Sequence, residues 1–233
     1  MVDYFVSGTV EVCIDRRPVP LGGEKQRCVL AVLLTHHGTV VSIDRLIDAI
    51  WDDEPPAKAL TSLRSYIANL RRIVPATADT VRLETRPHGY RLNVADSDTV
   101  DLHRFAGLVG RGRAELNAAD PAPAFTTLSR ALALWRGDPL GEFAYREFAA
   151  AAVRRYTALR TTAVEARFDA GLRLGRADEL IPEIEAALTE DPLQEPLWGH
   201  LMWALHQAGR SADAIQTFDR AHSTLEREIG AAP

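Results

Sequence analysis

Cysteine is scarce in this sequence, and long apolar runs are absent from it. The 233 residues include two cysteines, Cys13 and Cys28, with no CxxC and no Cys/His ligand spacing. A disulfide framework and a zinc module are both excluded on that count, and the two thiols read as small buried hydrophobes in a reducing compartment. The longest nearly unbroken apolar run, Cys28 to Leu34, covers about a third of a membrane span. The opening Met1-Val2-Asp3-Tyr4 has neither the basic start nor the apolar stretch of a secretory signal. A cytoplasmic protein without membrane contact is expected.

Catalytic constellations are missing as well. Gly22-Gly23-Glu24-Lys25 has a glycine pair and a lysine but neither the spacing nor the Ser/Thr of a phosphate-binding loop. His36 and His37 are adjacent and so point to different helix faces. His200 and His206 stand six apart, a poor spacing for joint ligation, with no Cys or acid to complete a set. There is no GxSxG. Neither enzymatic activity nor a cofactor or metal is expected.

An excess of positive charge is also lacking, since the formal net charge is −5. The distribution matters more than the total. Residues 1–95 carry 12 basic and 11 acidic groups, against 15 and 21 in the remainder. Within residues 58–91, seven cations (Lys58, Arg64, Arg71, Arg72, Arg82, Arg86 and Arg91) face two acids, Asp79 and Glu84. A basic patch on a near-neutral module, beside an acidic second half, suits DNA on one side and protein on the other; the plain alternative is a solvated basic face. Hydrophobic content of 46% and charged content of 25% are those of an ordinary globular chain, and the length predicts two domains.

Residues 4–12 read as one strand, Asp15-Arg16-Arg17-Pro18 as a turn and Val19-Pro20-Leu21 as a return strand. Glu24 to His37 is helical and Gly38 closes it. After a short strand at Val40-Val41, Ser42 caps a second helix whose apolar face is Ile43, Leu46, Ile47, Ile50 and Trp51. Asp52-Asp53-Glu54-Pro55-Pro56 is an acidic loop, because paired prolines end regular helix. A third helix follows over 57–73. Leu60, Leu63, Ile67, Leu70 and Val74 make its buried stripe, while Lys58, Ser62, Ser65, Asn69 and Arg72, flanked by Arg64, Ala68 and Arg71, make an outer face without acids. Donors, small residues and an amide suit phosphates and base edges in a major groove. Residues 81–94, from Val81 to Val94, alternate as a hairpin around Arg86-Pro87-His88-Gly89. Strands, three helices and a basic-tipped hairpin describe a winged helix-turn-helix.

The second half is helical after a polar, acidic hinge, Asp96-Ser97-Asp98-Thr99, with candidates over 101–116, 121–135, 143–174 (long enough for one break), 178–190, 193–208 and 212–229. Gly175-Arg176 and Gly209-Arg210 lie 34 residues apart in similar surroundings, the period of tetratricopeptide helical hairpins. Trp135, Trp198 and Trp203 are read as packing residues of that stack. The expected fold is mainly α, with a winged helix over 1–96 and an all-α, tetratricopeptide-like domain over 97–233.

Lys25-Gln26-Arg27, Leu46-Ile47-Asp48-Ala49-Ile50-Trp51, Ser65-Tyr66-Ile67-Ala68-Asn69-Leu70-Arg71-Arg72 and Gly89-Tyr90-Arg91-Leu92 resemble the OmpR-type winged helix. More closely they resemble the Streptomyces antibiotic regulatory protein family of transcription activators, and Glu195-Pro196-Leu197-Trp198 with Ala204-Leu205 and Gly209-Arg210 resembles the bacterial transcriptional activator domain that follows it there. The resemblance implies binding to direct repeats near a promoter, recruitment of RNA polymerase, self-association on double-stranded DNA and target genes in secondary metabolism. On this reading Ser62, Arg64, Ser65, Asn69 and Arg72 read bases, and Lys58 and Arg71 hold phosphates. Arg86 and His88, with Arg82 and Arg91 behind them, clamp the adjacent backbone. Asp52, Asp53 and Glu54 face the polymerase, or else simply complement the start of the third helix. The competing reading is a helical-repeat adaptor whose winged helix contacts protein. Family members usually continue beyond the point of Glu228–Pro233, and the sequence leaves open whether this chain does.

Overall fold

The computed structural model describes residues 1–52, 54–74 and 82–229, in two compact units. The first comprises Met1–Ala106 and Leu134–Ala158, the second Gly107–Ala133 and Leu159–Pro233.

In the first unit, β1 (Val2–Phe5) and β2 (Glu11–Ile14) pair antiparallel, with Val2 opposite Ile14 and Phe5 opposite Glu11. The run over residues 4–12 is therefore two strands rather than one. Its β-branched and aromatic residues hide a reversal centred on Gly8, which takes φ +90, a conformation open to glycine. Asp15 and Arg16, both left-handed, make the two-residue link to β3 (Arg17–Val19).

Helix α1 (Glu24–Thr35) is buried without interruption from Cys28 to Leu34, as a helix apolar on all sides must be. Cys28 is in that core, whereas Cys13 is only half-buried. Then come β4 (Val40–Ser42) and α2 (Ile43–Trp51), whose first turn is capped by the Ser42 hydroxyl accepting from the Arg45 amide.

Helix α3 (Ala59–Ile73) begins two residues later than its spacing suggests, because the Ala59 amide is taken by the Pro56 carbonyl in a turn. Ala59, Leu63, Ile67, Leu70 and Val74 are buried. Leu60, expected in that stripe, is 37% exposed: Ala59 takes the inward position and places Leu60 about 100° around the helix. The wing is β5 (Leu83–Arg86) and β6 (Gly89–Leu92), in a sheet ordered β4-β6-β5. Finally β7 (Thr99–Val100) adds parallel to β1, completing a sheet ordered β3-β2-β1-β7. Residues 96–99 are therefore not a free hinge. Asp98 is buried, and Thr99 and Val100 are strand.

Six longer helices follow: α4 (Asp101–Asn117), α5 (Pro121–Leu132), α6 (Ala150–Arg173), α7 (Ala177–Glu190), α8 (Glu195–Gln207) and α9 (Ser211–Ile229). Helix α6 starts at Ala150 rather than Phe143. Residues before it are committed to the first unit through Leu140 N–H to Val6 O (2.6 Å), Gly8 N–H to Asp138 O (2.9 Å) and Arg136 N–H to Ser7 Oγ (3.0 Å), so only short 3-10 turns form there.

In the second unit the repeat is visible atom by atom. Gly175 and Gly209 take φ +72 and +74, and each is followed by the same reverse bond, Arg176 N–H to Gly171 O and Arg210 N–H to Leu205 O. Each arginine then pairs three residues on, Arg176 with Glu179 and Arg210 with Asp213. Leu172, Leu180, Ile184, Leu197, Trp198 and Leu201 belong to one buried cluster. Trp198 also donates its indole N–H to Pro192 O. Trp203 is 38% exposed, against expectation, because Leu197, Leu201, Ala204 and Leu205 claim the inward side of α8. Trp135 is half-buried in the first unit, edge-to-face with Phe105. Among the described residues no helix is long and apolar enough to cross a membrane.

Candidate nucleic-acid interface

Helix α3 turns one side into the first unit and the other to solvent. Lys58, Arg64, Ser65, Ala68, Arg71 and Arg72 are exposed, with Ser62 and Asn69 half-buried among them. No acid occurs from Lys58 to Val74. The helix also has no side-chain cap and no acid in its first turn, while Arg71 and Arg72 occupy its last. Its amino end keeps amide donors that favour an anion.

Two groups of this face are held by α1. Buried Gln26 gives an amide N–H to Leu21 O (2.7 Å), and its oxygen accepts from Asn69 Nδ2 (3.0 Å). Asn69 Oδ1 in turn accepts from Arg72. The guanidinium is thereby oriented while its other donors stay outward, which lowers the ordering cost of a bidentate contact. Gln26 stands in the Lys25-Gln26-Arg27 motif at the start of α1, but its bond to Asn69 has no signal in the sequence beyond a polar side chain in an apolar helix. The Ser65 hydroxyl donates to Thr61 O (3.1 Å). Lys58 and Arg64 have no ion-pair partner among the described residues.

Arg71 is placed differently. Its Nε donates to Leu83 O (2.9 Å) and an Nη to Thr85 Oγ1 (2.7 Å). It latches α3 to β5 while the residue itself stays exposed.

In the wing, His88 is exposed at the tip with φ +63, and its carbonyl accepts the Ile43 amide (3.0 Å). A Cβ on Gly89 would stand 2.1 Å from Val41 O, so only glycine lets β4 and β6 meet there. Arg86 and Arg91 both reach Glu84, the latter at 2.7 Å. Desolvation alone would raise the Glu84 carboxyl, but the hydrogen bonds from Arg91 and Arg86 outweigh it and hold the group below the usual carboxylate range.

Arg82 does not belong to this surface. It is buried, and it donates from Nε and Nη2 to the two oxygens of Asp98, at 2.7 and 3.0 Å. Asp98 also accepts the Val2 amide (2.8 Å). This clamp joins the base of the wing to β1. Burial raises the Asp98 carboxyl, and the bonds from Arg82 and the Val2 amide more than reverse that. The neighbouring Tyr4 hydroxyl is buried without a hydrogen-bond partner among the described residues.

In the acidic loop, Asp52 pairs with Arg146 (3.3 Å), whose guanidinium also donates to Ala49 O. Glu54 is exposed. Asp53 lies outside the described residues, as does Val81 at the expected start of the hairpin. Among the described residues there is no cluster of His, Cys, Asp or Glu able to hold a metal.

Two family models match the chain: "Transcriptional regulatory protein, C terminal" over residues 17–92, and "Bacterial transcriptional activator domain" over residues 100–233. The transcriptional regulatory protein EmbR of Mycobacterium tuberculosis is 37% identical over 238 residues, covering 100% of this chain and 60% of EmbR. The regulatory protein DnrI of Streptomyces peucetius is 34% identical over 90% of this chain and 79% of its own length. AfsR of Streptomyces coelicolor is 32% identical over 99% of this chain and 23% of its own. The chain thus spans about three fifths of EmbR and under a quarter of AfsR. A solved structure of M. tuberculosis EmbR in complex with a low-affinity phosphopeptide superposes with a TM-score of 0.93 at 35% identity, over 100% of this chain and 62% of that one.

Proposed function

The chain belongs to the Streptomyces antibiotic regulatory protein family of transcriptional regulators, an OmpR-type winged helix joined to a bacterial transcriptional activator domain, and from that premise we propose that it is a cytoplasmic activator that binds direct repeats near a promoter and recruits RNA polymerase. Two copies would sit side by side on the repeats, and the target genes would serve secondary metabolism.

The observation that carries this reading is the acid-free outer face of α3, with Asn69 and Arg72 pre-set by Gln26. Arg72, Arg64, Asn69, Ser62 and Ser65 are the base-reading set, and Lys58 with the amino end of α3 holds phosphate. Arg86, His88 and Arg91 take the adjacent backbone, with Glu84 yielding its arginines to the more strongly charged DNA. Asp52, Asp53 and Glu54 are assigned to the polymerase, with Asp52 steadied by Arg146.

Transcription reconstituted with RNA polymerase and a promoter bearing the repeats tests both halves. Glu54→Gln combined with Asp53→Asn should keep DNA affinity and lose most of the stimulation. Unchanged stimulation would remove the loop from the mechanism, and activation from a promoter without repeats would remove the direct-repeat reading.

A further inference from the structure

The first unit contains a cavity of about 330 Å³, within the size range of small-ligand sites. It lies between the end of α1, the first turns of α2 and α4, and the start of α6. Its apolar wall includes Val6, Leu34, Leu102, Leu140 and Phe148, and its polar lining includes Thr35 and His36 beside His37, Arg45, His103, Arg155 and Tyr156. No acidic side chain lines it. The acid beside it, Asp101, has its oxygens engaged by the amides of Val6, Ser7 and Leu102 at 2.7–2.9 Å. His36, also at the rim, is tied by Nδ1 to Val32 O.

The remaining groups have no ion-pair partner among the described residues. The His37 and His103 rings meet at a tilt of 55°, with centroids 4.3 Å apart. Arg155 lies over the Tyr156 ring at 5.4 Å, and neither Arg155 nor Arg45 has an ion-pair partner among the described residues. Burial first, and then the charges of His37 and Arg155, push the His103 imidazole down to about 4. It is therefore a neutral ring at neutral pH that an anion would favour protonating. Two guanidinium groups, two imidazoles and a phenol surround an apolar pocket whose lining holds no carboxylate among the described residues, while Asp48, Asp52 and Glu147 line the neighbouring cavity that Arg45 also borders.

We propose that this cavity binds a small organic anion, with its carboxylate or phosphate set between Arg45, Arg155 and the His37–His103 pair and its aromatic ring or short apolar chain against Leu34, Leu102 and Phe148. The site shares no residue with the α3 face or the wing, so it stands apart from the DNA-binding reading.

Phenyl phosphate and phenylacetate are the probes, with inorganic phosphate and benzyl alcohol as controls for charge and ring alone. At least one probe should bind the 233-residue chain saturably, one to one, at least tenfold more tightly than either control. Binding should move the His37 and His103 imidazole resonances and raise the titration midpoint of His103. The stronger probe tells whether the site takes a carboxylate or a phosphate. Arg155→Gln removes charge at an exposed position, and Ala152→Leu fills the cavity without touching charge; each should weaken the probe at least tenfold with far-ultraviolet circular dichroism and DNA affinity unchanged. The proposal fails if neither probe saturates, if the imidazole signals stay still, if both variants bind like the parent, or if inorganic phosphate binds as well as phenyl phosphate.

Discussion

Helix α3 and the wing carry similar cations in opposite states of engagement. On α3, Lys58 and Arg64 face solvent without an ion-pair partner among the described residues, and Arg72 is steadied by a neutral amide. In the wing, Arg86 and Arg91 share Glu84, and at its base Arg82 is buried against Asp98. Arg71, although on α3, is spent on β5. Net charge counted along a segment therefore overstates what DNA meets. The cations of residues 58–91 divide into those left to solvent on α3, those paired with Glu84, and those that hold the wing in place. The pairs of Glu84 with Arg86 and Arg91 are partly open to solvent, which screens them, so exchanging partners costs little; the buried Arg82–Asp98 pair is a fixed part of the fold.

That comparison can be broken most forcefully at its buried end. Arg82→Ala leaves a buried carboxylate alone and should cost about 3–5 kcal/mol of stability, as denaturant unfolding would read. The same clamp sets an acid limit. Because Asp98 is held below its ordinary value of 3.8 in the folded chain, its contribution is full above that value and is lost as pH falls through the lower folded one. Arg82→Ala should flatten the acid limb of the stability profile, and an unchanged limb would mean that the pair is not coupled to folding.

The next largest effect belongs to Arg72. Arg72→Ala should cost about 1–3 kcal/mol of operator affinity and relax one base position. Uniform weakening across all sequences would instead make it a phosphate contact. Glu84→Gln should act in the opposite direction, tightening DNA several-fold at low salt, since Arg86 and Arg91 no longer leave a carboxylate to reach phosphate, with the number of phosphate contacts and so the salt slope little changed. The smallest change is expected from Lys58→Ala, which should weaken every sequence alike and reduce the salt slope by about one. A sequence-dependent loss there would erase the distinction drawn along α3.

Much of this was legible before any coordinates. The three- and four-residue spacing of Leu63, Ile67, Leu70 and Val74 located α3 and its outer face, and the 34-residue recurrence of Gly-Arg marked two turns that prove alike in φ and in hydrogen bonding. What stayed hidden depended on partners distant in sequence. Arg82 sits in an alternating hairpin and reads as surface until Asp98 and the Val2 amide are placed beside it. Asn69 reads as free until Gln26, 43 residues earlier, is seen to hold it. The return of residues 134–158 to the first unit rests on backbone bonds to Val6 and Gly8, which no local pattern encodes. The break within residues 4–12 was signalled by Gly8 alone, too little to outweigh the β-branched run around it.

The central claim is that the outer face of α3 reads base sequence through Arg72. Selection of bound duplexes from a random library at about physiological salt, run in parallel on the parent chain and Arg72→Ala, tests it most directly. The account predicts a short motif repeated in one direction at roughly helical-turn spacing, with one position per repeat relaxed in the variant. No enriched motif, or the same motif with every position intact in the variant, would contradict it.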